Sequence, residues 1–111
     1  MLPITLREYL DEKGRSLFGI WRAELDDIAR ERVTRALVRL SIGNTSNVKG
    51  VGEGVSEVRI DFGPGYRVYF GWDGRTVVIL LGGGTKKRQE RDIRTARQTW
   101  ADYKRRKQLG N

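Results

Sequence analysis

From Phe18 to Leu40, apolar residues return every three or four positions: Phe18, Trp21, Leu25, Ile28, Ala29, Val33, Ala36, Leu37 and Leu40. That spacing gathers them on one stripe of a helix and leaves Arg and Glu on the other side. Glu31 and Arg35 fall at i, i+4 on the polar side, where opposite charges support a helix. Asp26 and Asp27 suit a helix start, so the stripe predicts two helices, or one bent near Glu24–Asp27. Leu6, Tyr9 and Leu10 continue the spacing upstream and extend the expected helical region over residues 1–42. Gly43 or Asn44 can then end it in the left-handed conformation. A Gly-rich polar loop follows to about Gly54 and carries one cation, Lys49. It has no Walker spacing, and Glu53 stands between Gly52 and Gly54 where a phosphate would sit, so it is not a nucleotide cradle.

At Val55 the period changes to two. Val58, Ile60 and Phe62 alternate with Glu57, Arg59 and Asp61, and Tyr66, Val68 and Phe70 alternate with Arg67 and Tyr69. This predicts two strands, each with one dry and one wet face, joined at Gly63-Pro64-Gly65. Asp73-Gly74 signals a second tight hairpin. The third strand, Thr76–Leu81, is almost unbroken Val, Ile and Leu, as expected of a central strand covered on both faces. Gly82-Gly83-Gly84 is expected to turn the chain, and Thr85 to cap a last helix with Ile93, Ala96, Trp100 and Tyr103 buried. The sum is one α+β domain over residues 1–111. Its parts are helices in 1–42, a β-meander in 55–82 and a basic helix in 85–108, with the helices packed on a twisted antiparallel sheet.

The 111 residues are enough to bury about 65% of the unfolded surface in one core. They include no run of 18 apolar residues, hence no expected membrane span, and the first residues do not read as a secretory signal. With no Cys there is no disulfide framework, which suits a reducing cytoplasm. With no His the usual neutral-pH base and the commonest zinc ligand are missing. Any catalysis falls to Arg, Lys, Tyr, Ser, Thr and carboxylates. Charge is uneven. Residues 1–85 hold 12 Lys/Arg against 11 Asp/Glu, while residues 86–111 hold 10 against 3. Such a basic segment is the footprint of a polyanion partner, of an acidic protein partner, or of a solvated cationic helix. Lys86, Lys87 and Arg88 fall in the expected first turn of the last helix. The helix dipole disfavours cations there by about 0.3–1 kcal/mol each, unless an anion binds.

The blocks GVSEVRIDFGPGYRVYF from Gly54, VVILLGGGTKKRQERD from Val77 and GNTSNVKGVGEGV from Gly43 together resemble the RelE/ParE superfamily of toxin–antitoxin toxins. The likeness is to its HigB-like "addiction module killer protein" branch. The resemblance spans roughly residues 15–105 and implies a RelE-like, microbial-ribonuclease-like fold. It implies a ribosome-dependent messenger-RNA endoribonuclease, with a ribosome and messenger RNA as partners. A neighbouring gene would encode a helix-turn-helix antitoxin. Arg67 of the "GYR" strand and Lys87, or its neighbour Lys86, match positions that contact the scissile phosphate. Arg59 and Lys49 match positions that hold RNA, and Tyr69, Arg88 and Arg91 are further RNA contacts in this reading. No metal or cofactor is implied: the ribose 2′-hydroxyl attacks its own phosphate, and fixed cations stabilise the charge that gathers there. The chain departs from the family in one respect. Ile93 stands where many members carry a Tyr or His as base or acid, which leaves Lys86, Lys87, Glu90 or Asp92 as substitutes. Members that lack nuclease residues poison DNA gyrase. That alternative, and a plain RNA-binding module, stand beside the first.

Overall fold

The computed structural model describes residues 3–110 and contains a five-stranded mixed sheet with helices on both faces. In chain order the elements are β1 (Thr5–Glu8), α1 (Leu17–Ala23), α2 (Asp27–Ser41), β2 (Val48–Gly52), β3 (Val55–Ile60), β4 (Tyr66–Asp73) and β5 (Val77–Thr85). A 3-10 turn (Lys86–Arg88) and α3 (Gln89–Gln108) follow. The strands lie in the order β1-β5-β4-β3-β2, antiparallel throughout except for β1 against β5. The α+β class expected from the pattern holds.

The N-terminal helices form where the apolar stripe placed them. Ser16 caps α1 by accepting from the Gly19 N–H at 2.8 Å, and Asp26 caps α2 from Ala29 at 2.8 Å. Such caps satisfy amides that have no partner within the helix. Ala29, Val33, Leu37 and Leu40 of α2 then pack with Phe18 against Val58, Val68, Phe70, Val78 and Leu80 of the sheet. On the opposite face, Ala96 and Trp100 of α3 pack against Tyr9, Val55, Tyr69, Ile79 and Leu81. Strand β5 is central and covered on both sides, as its unbroken apolar run implies.

Four expectations change. Residues 5–8 are a strand, not a helix: β5 has a second edge to satisfy, and Thr5–Glu8 pairs with Val77–Leu80 along it. Val48–Gly52 is likewise a strand rather than a loop, with Lys49 paired to Glu57. The second hairpin is looser than a two-residue turn, since Asp73 pairs with Val77 and three residues intervene. The triple glycine does not turn the chain but carries β5 on to Thr85. Leu81 is an extra residue in β5, without a partner between the Phe70–Leu80 and Tyr69–Gly82 pairs; it faces α3 by alternation with Ile79, and the bulge shifts the parity of the glycines that follow. Gly83 then faces α1 and Gly84 faces α3, and a Cβ at either place would overlap the Trp21 ring or the Asp92 carboxylate. These glycines are spacers for close packing.

Gly83→Ala should therefore destabilise the protein by about 1–3 kcal/mol through overpacking against Trp21. Gly82→Ala meets nothing within 4 Å and should be neutral or stabilising by about 0.4–1 kcal/mol. Urea denaturation of both variants checks the contrast, and equal midpoints would refute the spacer role.

Candidate functional site

In the β3–β4 pair, Arg59 lies opposite Arg67 and Glu57 lies opposite Tyr69. Alternation sends all four side chains to the face that α3 covers. The polar face of this hairpin is therefore not wet. Glu57 and Arg67 are only 2% and 7% exposed, and Tyr69 only 1%. A buried carboxylate requires a cationic partner. Arg59 Nε donates to Glu57 Oε2 at 2.6 Å, and Arg67 Nε lies 3.5 Å from the same oxygen. Arg67 Nη1 donates to the carbonyls of Gly65 and Tyr66, each at 3.2 Å. Its Nε makes no hydrogen bond. Arg67 is thus clamped from two sides with one donor unmatched, while Arg59 remains half exposed.

The turn after β5 meets the turn between β3 and β4. The Lys86 N–H donates to the Gly65 carbonyl at 2.8 Å. A Cβ built on Gly65 would lie 3.3 Å from Lys86 Cβ and 3.5 Å from Arg67 Nη1, so the Lys86 stem and the Arg67 guanidinium meet at that glycine. Positive φ angles of 56° at Gly63 and 77° at Gly65 make the tight path possible. Beyond Lys86, the side chains of Lys87, Arg88, Arg91 and Arg94 line an open depression of about 460 Å³ that also includes Glu90. The three leading cations do not occupy the first turn of the long helix. They form a separate 3-10 turn, and the first turn of α3 holds Glu90 and Asp92, whose sign suits the dipole. Thr85 makes no side-chain cap bond.

Asp92 packs on Gly84, which pairs with Arg67 across β4–β5. Burial lifts its carboxyl above the usual carboxylate range, against the opposing charges of Arg91 and Arg88. Glu90 is exposed and stands in the depression instead. Tyr69 and Asp92 share a cavity of about 180 Å³ under α3 with Leu17, Leu81 and Ala96. Burial, then the charges of Glu57 and Asp92, push the Tyr69 hydroxyl up, and it has no hydrogen-bond partner. An enclosed ring is not offered to a base, which corrects the expectation of Tyr69 as an RNA contact. Lys49 is exposed on edge strand β2, with β3 between it and Arg67. The structure thus brings Arg59, Arg67, Lys86 and Asp92 together, with Lys87, Arg88 and Arg91 beside them, and leaves Lys49 and Tyr69 apart. Glu57 was missed as the organiser. Its signal was a carboxylate sharing the parity of an aromatic residue between two apolar runs.

The other cations of α3 are mostly engaged. Arg97 donates to the Val51 carbonyl and pairs with Glu53. Asp102 accepts from Tyr9, Arg105 and Arg106, and Asp73 accepts from Tyr103 and Lys107. Those contacts hold the Asp102 and Asp73 carboxyls below their usual range. Free positive charge is therefore focused at the N-terminal end of α3. Among the described residues no group of three or more His, Cys, Asp or Glu is placed to hold a metal ion, and no helix is long and apolar enough to cross a membrane.

Residues 21–106 match the family described as "Phage derived protein Gp49-like (DUF891)". An uncharacterised protein of Haemophilus influenzae is 40% identical over 81 residues, covering 72% of this chain and 82% of that protein. The family match includes every element from α2 to the penultimate turn of α3, and with them the whole Arg67 site.

Two side chains at the site give separable outcomes. Tyr69→Phe should leave stability unchanged or raise it by about 1 kcal/mol, because it removes a buried hydroxyl that bonds to nothing. A clear loss in thermal melting would reveal an unseen partner. For Asp92 the folded carboxyl holds its proton to higher pH than the unfolded one. Stability from this group is therefore present at low pH and falls as pH rises through that window. Asp92→Asn should be more stable than the parent at pH 7, with the advantage shrinking below about pH 4, the unfolded carboxylate range. Paired urea midpoints at the two pH values test this, and a constant offset would refute it.

Proposed function

The chain belongs to the Gp49-like phage-derived family, a family related to toxin–antitoxin toxins, and on that premise we propose that it is the toxin of a HigB-like, RelE/ParE-type pair. In this reading the whole chain is one toxin domain that cleaves messenger RNA on the ribosome, in the cytoplasm, and an antitoxin restrains it. The observation that carries the proposal is the clamped Arg67 guanidinium set beside Lys86, which itself lines a basic depression.

The reaction that suits these groups is transesterification within the RNA. A ribose 2′-oxygen attacks the adjacent phosphorus and its proton leaves. The bond to the 5′-oxygen of the next nucleotide breaks, giving a cyclic phosphate and, after protonation, a free 5′-hydroxyl. The transition state gathers negative charge on the phosphoryl oxygens. Cations already fixed in place stabilise that charge without reorganising, and a planar fork matches a phosphate in two contacts. Arg67 is the fixed fork, and Lys86 and Lys87 supply mobile ammonium groups. Arg59, Arg88 and Arg91 hold the flanking backbone. Asp92 is the base in this scheme: it is the carboxylate packed on Gly84, the register partner of Arg67, and burial raises its affinity for protons above that of an exposed aspartate. Glu90 lacks that placement.

Expressed without its antitoxin, the protein should arrest bacterial growth, and co-expression of the antitoxin should restore it. Because Arg67 is buried against Glu57, Arg67→Ala would strip a partner from a buried carboxylate and lower stability as well as activity. Arg67→Lys keeps the charge and is the sharper variant. It should melt near the parent temperature, yet lose about 10²–10³-fold in message cleavage. Lys87→Ala, at an exposed position, should lower cleavage with melting unchanged. Primer extension on messages after induction reads the outcome. Cleavage at the parental rate in Arg67→Lys would overturn the site. Intact messages with gyrase-linked DNA breaks would assign the chain to the non-catalytic class of toxins.

A further inference from the structure

The sheet end that holds Arg67 opens on its other side into a groove between α2 and the outer edge of β3. We propose that this groove is a track for the phosphate backbone of single-stranded RNA, leading away from Arg67. The inference rests on the ribonuclease reading above and extends it to a second binding surface.

Arg32, Arg35, Arg39 and Arg59 all line the groove, whose volume is about 190 Å³, and Asp61 is the one carboxylate among its lining residues. At 100° per residue, positions 32, 35 and 39 fall within a narrow stripe of α2 that spans about 10 Å along the axis. The stripe lies away from the buried one at Ala29, Val33, Leu37 and Leu40, so it contributes nothing to the core. Arg32 and Arg39 have no carboxylate within 4.0 Å among the described residues, and Arg35 reaches only the exposed Glu31. Surface pairs of that kind contribute about 0–1 kcal/mol and yield readily to a better anion. This differs from α3, where most cations past the first turns are bound to carboxylates or carbonyls of the fold.

The walls suit a nucleic acid. The Arg32 guanidinium lies over Phe62, 4.5 Å from the ring centroid, a cation–aromatic pair of residue types on which bases stack. The far end carries the amides of Asn44 and Asn47; the Asn44 oxygen already accepts from the Ser46 N–H and hydroxyl, which leaves its NH₂ group and the Asn47 amide to meet base edges. The two sites join at Arg59. It lines the groove, lies opposite Arg67 in the strand pair, and shares the Glu57 carboxylate with it. Strand β2 pairs no further than Val48–Val58, and the Arg59 N–H still donates to the Asn47 carbonyl at 3.0 Å, so β2 leaves the β3 edge only past that bond. A chain of phosphates passing from Lys86 and Arg67 would round the sheet edge at Arg59, whose side chain lies on the α3 face while the residue also lines the groove, and so reach the α2 stripe. An acidic peptide would satisfy the same arginines but would use neither the Arg32–Phe62 pair nor the amides.

The probe is a fluorescent 2′-O-methyl oligoribonucleotide, which lacks the attacking hydroxyl and so stays whole. Binding is read by anisotropy at several salt concentrations for the parent, for Arg35→Gln/Arg39→Gln and for Arg67→Lys, with melting curves for each. Both α2 positions are exposed, so the double variant should melt as the parent does. Its salt slope, d log K/d log[salt], should fall in magnitude by about 1.4, since each phosphate contact on a single strand contributes about 0.7. An unchanged slope in the double variant, with weaker binding in Arg67→Lys, overturns the track and leaves the ribonuclease reading standing. A parent protein that does not bind the oligonucleotide overturns the track, whereas the ribonuclease reading, which places cleavage on the ribosome, is decided by primer extension. If a poly-glutamate peptide binds in an Arg35- and Arg39-dependent way while the oligonucleotide does not, the groove belongs to an acidic protein instead and the proposal fails.

Discussion

A carboxylate buried under a helix on a sheet sets the terms for everything around it, and in this protein that carboxylate is Glu57. Desolvating an ionised carboxyl costs several kcal/mol even after relaxation, unless charge and hydrogen bonds compensate. Arg59 and Arg67 supply the charge from adjoining strands, and the registered pairing of β3 with β4 places them there. The price of the arrangement in stability is a buried ionic network where apolar side chains would pack as well. What results is a guanidinium with few rotamers left, fixed at a sheet end where two turns meet. Preorganisation of this kind is what an electrostatic site requires, since donors that are already oriented do not have to be ordered by the ligand.

Helix α3 does the complementary work of sorting charge. Its sequence carries a large basic excess, yet Asp102, Asp73 and Glu53 engage the cations of its middle and C-terminal turns. Tyr9 and Tyr103 tie the same carboxylates to the sheet layer, so these contacts dock the helix as well as neutralise it. The cations without such partners lie at the other end, next to Arg67. A segment that reads as uniformly basic therefore presents a focused potential, and focusing raises the local concentration of anions far more than a spread of the same charge.

The architecture was legible in the sequence because its strongest signals are periodic. The α2 stripe, the Asp26 cap, the alternation from Val55 to Phe70 and the apolar run of β5 all form the elements that they announce. What was not legible depends on partners distant in the chain. Nothing within Thr5–Glu8 says strand; the free edge of β5, some seventy residues away, makes it one. Three glycines in a row read as a turn when the Trp21 ring and the Asp92 carboxylate that need the space are not yet in view. The same cause misplaced the site. Arg67 and Tyr69 were correctly assigned to one face of the strand, but alternation cannot say whether a polar face meets water or a helix. Once α3 covers it, Arg67 becomes a clamped group and Tyr69 a core residue.

In the proposed scheme, that covering helix also supplies the base to a chain without histidine. A surface aspartate would be ionised far below neutral pH and would be a weak base. Asp92 is pressed onto Gly84 by the docking of α3, and loss of water on that side works against its ionised form more than Arg88 and Arg91 support it. Its environment comes from the absence of a side chain on β5, so a glycine in a strand sets the proton affinity of a carboxylate on a helix. Any larger residue at position 84 would meet the Asp92 carboxylate, which would then have to turn out of its place on β5 and regain water. Packing and proton affinity are in this sense one constraint, applied through the contact between β5 and α3.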